Sequence, residues 1–131
     1  MNKPRSLILT VISFSLFMYL ASCAPSPLHS EPARVCEYGK DKDCVLYKVS
    51  GSSKKIEASF LDANAFRYSQ IISSSWQKST PFTTGDKAYI TAQNLTAEGG
   101  VECEIWLNGN KIASQVSNKR YDIVICEATV Q

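Results

Sequence analysis

The fold is decided by residues 101–109, which read Val101-Glu102-Cys103-Glu104-Ile105-Trp106-Leu107-Asn108-Gly109. As far as Leu107, apolar residues occupy every odd position, and this period of two predicts a β-strand with one buried face. Asn108-Gly109 supplies the two positive φ angles of a type I′ turn, which joins antiparallel strands through two residues. The stretch therefore predicts a β-hairpin whose second strand, residues 111–116, places a residue near Ser114 opposite Cys103.

Further runs of β-branched and aromatic residues lie between turn residues on either side of the hairpin. They are residues 45–50, 55–61, 66–73, 87–93 and 121–130. With the hairpin they make about seven strands, all within residues 35–131. Short strands at regular spacing, without a helical period, predict an all-β fold: a small antiparallel, immunoglobulin-like β-sandwich.

Residues 1–22 have the three zones of an export signal. Lys3 and Arg5 are basic, and residues 7–20 form an apolar stretch shorter than the roughly 20 residues of a transmembrane helix. The signal ends in Leu20-Ala21-Ser22-Cys23, which resembles the lipobox of bacterial lipoproteins. The resemblance implies cleavage before Cys23 and attachment of lipid, diacylglycerol and an acyl chain such as palmitate, to that residue. The alternative is a plain signal peptide or an uncleaved anchor with an incidental cysteine.

Residues 23–34 predict an extended spacer between the lipid and the folded domain, because three prolines there disfavour a helix or a central strand. His29, the only histidine of the chain, lies in this spacer, so we assign it no role. Ala24 stands where an Asp commonly retains lipoproteins in the inner membrane. These features predict a lipid-anchored, extracytoplasmic protein of the cell envelope, in the outer membrane if the cell has one.

The charge of the chain argues against one class of partner. The formal charge of +2 comes from the signal, since without Lys3 and Arg5 the chain has 12 basic and 12 acidic residues. There is also no basic stripe and no nucleic-acid-binding motif. We therefore expect no nucleic-acid partner.

Four cysteines remain once Cys23 is assigned to lipid, and an even number in an exported chain indicates two disulfides. Three pairings are possible. We favour Cys36 with Cys44 and Cys103 with Cys126, because each bridge then staples one local region. The second bridge would join strands that are not hairpin neighbours, as a link between two sheets does. A zinc site would need closer pairs such as C-x2-C, so no metal and no cofactor is expected.

The chemistry expected of the domain is binding and not catalysis. It contains no histidine, and its cysteines are expected to be oxidised, so no catalytic residue is predicted and the protein is not expected to be an enzyme. Glu102 and Glu104 share a strand face, about 7 Å apart, but such a pair is more often a solvated face than a glycosidase centre. Trp106 lies on the same face. These three residues are the candidate partner-binding residues, unless the spacer or a neighbouring strand covers the indole.

The domain also resembles the mycobacterial membrane small proteins (MmpS-type) over roughly residues 45–127. The matching motifs are Tyr47-Lys48-Val49-Ser50-Gly51, Ile56-Glu57-Ala58-Ser59-Phe60, Ser75-Trp76 before Pro81-Phe82, Ala92-Gln93-Asn94, Val101-Glu102-Cys103-Glu104-Ile105, Asn108-Gly109, and Tyr121 with Cys126. The resemblance implies a small β-sandwich with a disulfide at the places of Cys103 and Cys126, and a role as accessory to lipid-exporting RND-type transporters. Three features depart from that family: an anchor at Cys23 in place of a transmembrane helix, the loop between Cys36 and Cys44, and the absence of a proline before Trp76.

Together these patterns predict a non-enzymatic, membrane-anchored lipoprotein whose sandwich binds another envelope protein, such as an RND-type transporter. One alternative is an inhibitor of a secreted hydrolase, similar to the lysozyme-inhibitor lipoproteins, although their Ser-Gly-x-x-Tyr loop is not evident. A second alternative is a carbohydrate- or lipid-binding module.

Overall fold

The computed structural model describes residues 36–41 and 43–131, where the chain folds into eight β-strands and no helix. The strands are β1 (Cys44–Ser50), β2 (Ile56–Leu61), β3 (Arg67–Ile72), β4 (Trp76–Pro81), β5 (Lys87–Asn94), β6 (Val101–Leu107), β7 (Asn110–Ser117) and β8 (Ile123–Thr129). The export signal, the lipidation of Cys23 and the spacer at 23–34 lie outside the described residues. Within the described ranges no helix is long and apolar enough to span a bilayer.

The strands form two antiparallel sheets that pack face to face. Sheet A has the order β4-β1-β6-β7, and sheet B has the order β3-β2-β5-β8. Both sheets contribute to one buried apolar cluster, to which β1 and β6 bring Val45, Val49 and Ile105, while β2 and β5 bring Ile56 and Ile90. Since each side chain in this list is at most 1% exposed, the core lies between the sheets. The expected all-β sandwich is confirmed.

The expectation of about seven strands was one too few, because β4 was assigned to a loop. This strand is at the edge of sheet A beside β1, and its middle residues Gln77 and Lys78 are exposed. Only Thr80 is buried, and Pro81 ends the strand, so its sequence lacks the apolar alternation of a half-buried strand. The ring of Trp76 lies 5.3 Å from that of Phe60, and this contact holds the start of the edge strand against the core.

The hairpin of β6 and β7 turns at Asn108 and Gly109, as predicted, with φ angles of 49° and 82°. The prediction that Cys103 pairs near Ser114 is confirmed, since Cys103 lies opposite Gln115, one residue further along β7. The difference of one residue is caused by a register shift between Ile105 and Trp106, where β7 carries one extra residue.

Both expected disulfides are present, and they differ in position. Cys103 of sheet A is bonded to Cys126 of sheet B, so this bridge passes through the core and links the two layers. Cys36 is bonded to Cys44, the first residue of β1, so this bridge fastens the N-terminal loop to the sandwich.

A buried hydroxyl makes a second link between the layers. The Tyr47 hydroxyl of β1 donates to the carbonyl of Leu61 at 2.9 Å and accepts from the backbone N–H of Tyr89 at 3.0 Å. Burial raises the pKa of Tyr47, so the hydroxyl stays protonated and can serve both partners.

The sandwich has two distinct ends. At the N-terminal end, the loop between Cys36 and Cys44 lies beside the Asn108-Gly109 turn, where the Gly109 N–H donates to the Tyr38 hydroxyl at 2.7 Å. The distal end is formed by the loops at 51–55, 73–75, 95–100 and 118–122. The chain therefore enters the domain at one end and presents four loops at the other.

Candidate functional site

The structure brings the three predicted partner-binding residues together on the outer face of sheet A. Trp106 is half-buried, and its indole N–H donates to Glu104 at 2.8 Å. Lys48 lies over the ring at 4.7 Å from its centroid and Lys111 at 5.4 Å. The indole is therefore flanked by two cations and held by a carboxylate, an arrangement that fixes its orientation at a partly open surface.

The carboxylate of Glu104 is the centre of this group. It forms an ion pair with Lys111. Partial burial alone would raise the pKa of Glu104, but the hydrogen bonds from Lys111 and Trp106, with the charge of Lys48, lower it overall. Glu102, two residues earlier on the same face of β6, accepts a long hydrogen bond of 3.5 Å from the Ser50 hydroxyl. The two carboxylates thus have separate partners, and whether this face binds a protein stays a prediction.

The lowered pKa of Glu104 predicts a pH-dependent loss of stability. A depressed carboxyl pKa contributes stability above the unfolded-state value near 4.3, and that contribution is lost as the pH falls through the lower folded-state value. We expect Glu104→Gln to destabilise the protein by up to about 1 kcal/mol near neutral pH, with the difference vanishing in acid. Urea unfolding at several pH values measures it. Glu127→Gln removes the more exposed pair with Lys87 and is the control. A difference between wild type and Glu104→Gln that does not change with pH contradicts the prediction.

A second surface carries most of the exposed apolar side chains. Of the eight large apolar side chains that are exposed in the described residues, five lie on or between β7 and β8. This β7–β8 surface consists of Ile112, Val116, Tyr121, Ile123 and Ile125. Val116 lies opposite Glu102 on the outer face of sheet A, whereas Ile123 and Ile125 lie on the outer face of sheet B and Tyr121 lies in the connection between the two edge strands. Exposed apolar side chains grouped along one edge of a domain are typical of contact sites for other proteins.

Tyr121 is the most unusual member of the β7–β8 surface. It is 62% exposed and has a φ angle of 52°, a left-handed conformation that costs an ordinary residue about 1–3 kcal/mol. Its backbone N–H donates to the carbonyl of Thr96 at 3.3 Å. Next to it, Asp122 accepts from the hydroxyl of Ser117 and the N–H of Ile123, and these hydrogen bonds lower the pKa of Asp122. The turn thus holds an aromatic ring in solvent.

A buried polar network supports the turn from beneath. The amide of Asn94 is fully buried, and its nitrogen donates to the carbonyl of Gly99 at 2.9 Å and, more weakly, to that of Lys119 at 3.4 Å. Its oxygen accepts from the Ser53 hydroxyl at 2.7 Å and from the Thr96 N–H at 2.9 Å. One side chain therefore joins three of the distal loops, those at 51–55, 95–100 and 118–122. This also explains the Asn-x-Thr spacing at residues 94–96, which matches a glycosylation pattern but here serves an internal contact.

Gly99 is required by the close packing of two of these loops. Its φ angle is 79°, and a Cβ atom there would lie 2.5 Å from the backbone nitrogen of Ser53. A side chain at this position would push the loops at 51–55 and 95–100 apart. The loops at 51–55 and 95–100 are consequently held in one arrangement at the distal end.

Two backbone donors on the free edge of β8 are already bonded to side chains. The N–H of Ile125 donates to the side chain of Gln115 on β7 at 2.7 Å, and the N–H of Ile123 is bonded by Asp122. Side chains thus occupy two donors that an added strand would need. Contacts at the β7–β8 surface would therefore be made by side chains.

The sequence carried one overlooked signal for this surface. Residues 123–126 are all apolar, so both faces of this strand are apolar. Val124 and Cys126 face the core, whereas Ile123 and Ile125 point outward. An edge strand that is apolar on both faces indicates a contact surface, and this stretch was assigned only to a strand.

The described residues contain no group of three or more His, Cys, Asp or Glu side chains arranged to hold a metal ion. The fold and the surfaces define a two-layer β-sandwich protein whose sheets are linked by a disulfide. Its exposed apolar side chains are concentrated at the β7–β8 surface, beside a turn that is fixed by hydrogen bonds. The chain matches no family model, and no curated protein matches it significantly.

Proposed function

We propose that this protein is a lipid-anchored, non-enzymatic binding protein of the cell envelope, and that its β7–β8 surface docks another envelope protein. The observation that carries the proposal is the conformation of Tyr121. Its aromatic side chain is exposed, and its backbone is strained within a turn that hydrogen bonds hold in place. Tyrosine is enriched among residues that dominate binding energy, and backbone strain is common at functional sites.

The anchor in this proposal is the lipid on Cys23. Thirteen residue steps separate Cys23 from Cys36, so the tether spans at most about 45 Å. Because the chain enters at the N-terminal end of the sandwich, a tether of this length allows Tyr121 at the distal end to face away from the bilayer. That orientation suits contact with a partner that extends beyond the membrane surface.

The partner in this proposal has an apolar contact patch with acidic residues at its rim. Ile123 and Ile125 would meet the patch together with Tyr121. Lys119 and Arg120, both exposed in the turn before Tyr121, supply the positive rim. Opposite charges at a rim raise the association rate and select among partners.

The resemblance to MmpS-type proteins supports an RND-type transporter as this partner and supports the immunoglobulin-like grouping of the sandwich. The eight strands in the orders 4-1-6-7 and 3-2-5-8 differ from the seven-strand arrangement of constant-type immunoglobulin domains. The grouping therefore rests on the two-layer architecture and the inter-sheet disulfide. Trp106, with Glu102 and Glu104, is a second contact region in the proposal.

Site-specific photocrosslinking in intact cells tests the proposal. A photoreactive amino acid at position 121 should give one discrete adduct with an envelope protein, whereas the same probe at position 66 should not. Phe66 is the matched control because it is 64% exposed but lies before β3, away from the β7–β8 surface. Tyr121→Ser with the probe at position 125 should lose the adduct. Equal adducts at positions 66 and 121 count against the docking surface.

The anchor is checked in the same cells. Palmitate labelling should mark the wild type, and Cys23→Ser should abolish both the label and the membrane association. Labelling that persists in Cys23→Ser shows that the lipid is elsewhere.

A further inference from the structure

The outer face of sheet B has a depression of about 270 Å³ that shares Ile123, and no other residue, with the β7–β8 surface. Its polar lining comes from three neighbouring strands and consists of Glu57, Ser59, Arg67, Ser69, Thr91 and Gln93. We propose that this sheet B depression binds one sugar unit of a neutral glycan.

The floor of the depression is held in place by its own hydrogen bonds. Ser59 and Thr91 are each 8% exposed, and the Thr91 hydroxyl donates to the carbonyl of Ser59 at 3.4 Å. Arg67 donates to the Ser59 hydroxyl at 3.2 Å and lies over the ring of Tyr89 at 5.8 Å. These contacts fix the guanidinium beside the floor, so a ligand meets a site that is already formed.

The groups that remain free offer both donors and acceptors. The Ser59 hydroxyl still has its proton to donate, and Thr91 keeps acceptor capacity. Glu57 uses one carboxylate oxygen to accept from Ser69 at 2.8 Å, which leaves the other. Among the described residues the Gln93 side chain has no hydrogen-bond partner, so it can both donate and accept. A hydroxyl group is itself donor and acceptor, and several adjacent hydroxyls match such a mixed lining.

The charge of the lining and the volume of the depression further restrict the class of ligand that can bind. One carboxylate and one guanidinium offset each other, and the other four polar residues are neutral, so the lining favours a neutral ligand over a phosphate or a divalent cation. The volume is just below the roughly 300–1,000 Å³ of sites for drug-sized molecules, which suits a single ring. Ile123 adds an apolar wall that can contact the C–H groups of a sugar.

Two-dimensional NMR titration of the full-length protein tests this site, in a zwitterionic detergent whose head group contains no sugar. The probes are chitotriose, maltotriose and cellotriose, with L-alanine as a zwitterionic competitor. At least one saccharide should shift the amides at 57–59, 67–69 and 91–93 in a saturable way. Gln93→Ala should weaken that binding at least about tenfold, because the interaction is lost in a partly enclosed site.

Matched variants separate this proposal from protein docking. Gln77→Ala changes an exposed amide on the outer face of sheet A and should bind saccharides as the wild type does. Tyr121→Ser should also leave saccharide binding unchanged, since Tyr121 does not line the depression. The proposal fails if no saccharide shifts these amides, if Gln93→Ala binds as tightly as the wild type, or if L-alanine produces the same shifts.

Discussion

Replacing both Cys103 and Cys126 by alanine is expected to lower the free energy of unfolding by about 2–5 kcal/mol. The bridge closes a stretch with a sequence separation of 23, and its loss returns conformational freedom to the unfolded chain. It also removes two sulfur atoms from side chains that are at most 2% exposed, in a core that both sheets share. Urea unfolding followed by circular dichroism measures the change in midpoint.

The other bridge provides the comparison. Cys36 and Cys44 are separated by only 8 positions, and their bridge lies at the N-terminal end instead of between the sheets. Replacing this pair by alanine should destabilise the protein less than replacing Cys103 and Cys126. If the order of the two effects is reversed, the inter-sheet bridge is not the main covalent support of the core.

Asn94→Ala is expected to destabilise the protein by about 3–5 kcal/mol, a large effect for one polar side chain. The substitution leaves the Thr96 N–H without its acceptor and the Gly99 carbonyl without its donor, and it removes one acceptor of the Ser53 hydroxyl, all at the distal end. Buried polar groups without partners lose the full free energy of hydration. The same variant should weaken the adduct at position 121, because the turn that carries Tyr121 loses its support.

Hydrogen exchange separates this local effect from general destabilisation. In Asn94→Ala, exchange should rise first in residues 51–55, 95–100 and 118–122, and least in β1 and β6. Asn110→Ala removes an exposed amide at the start of β7 and should change the unfolding free energy by no more than about 0.5 kcal/mol. An Asn94→Ala protein with the stability of Asn110→Ala would show that the network contributes little.

The features that could be predicted from the sequence were those with a strong local pattern. The alternation in residues 101–107 and the Asn108-Gly109 turn determine strand and turn from neighbouring residues alone. β4 was missed because an edge strand needs little apolar pattern, and the bulge beside Trp106 was missed because it depends on packing between strands. The role of Asn94 could not be predicted, since its partners lie in three loops that meet only in the folded protein.

The polar lining of sheet B shows the same limit. Glu57 and Ser59 alternate on one strand, as do Arg67 with Ser69 and Thr91 with Gln93, so each strand has a polar outer face. Period-two polarity alone indicates solvent exposure. Only the register of three strands brings these side chains around one depression.

The position of the Cys36–Cys44 bridge has a mechanical consequence for a tethered protein. A pull through the residues before Cys36 reaches the first residue of β1, which is an interior strand bonded to β4 on one side and β6 on the other. Force along this strand must shear two ladders of hydrogen bonds together, whereas force on an edge strand peels a single ladder one bond at a time. Force applied through this bridge therefore enters the sandwich at an interior strand, which should resist extension better than an edge strand would.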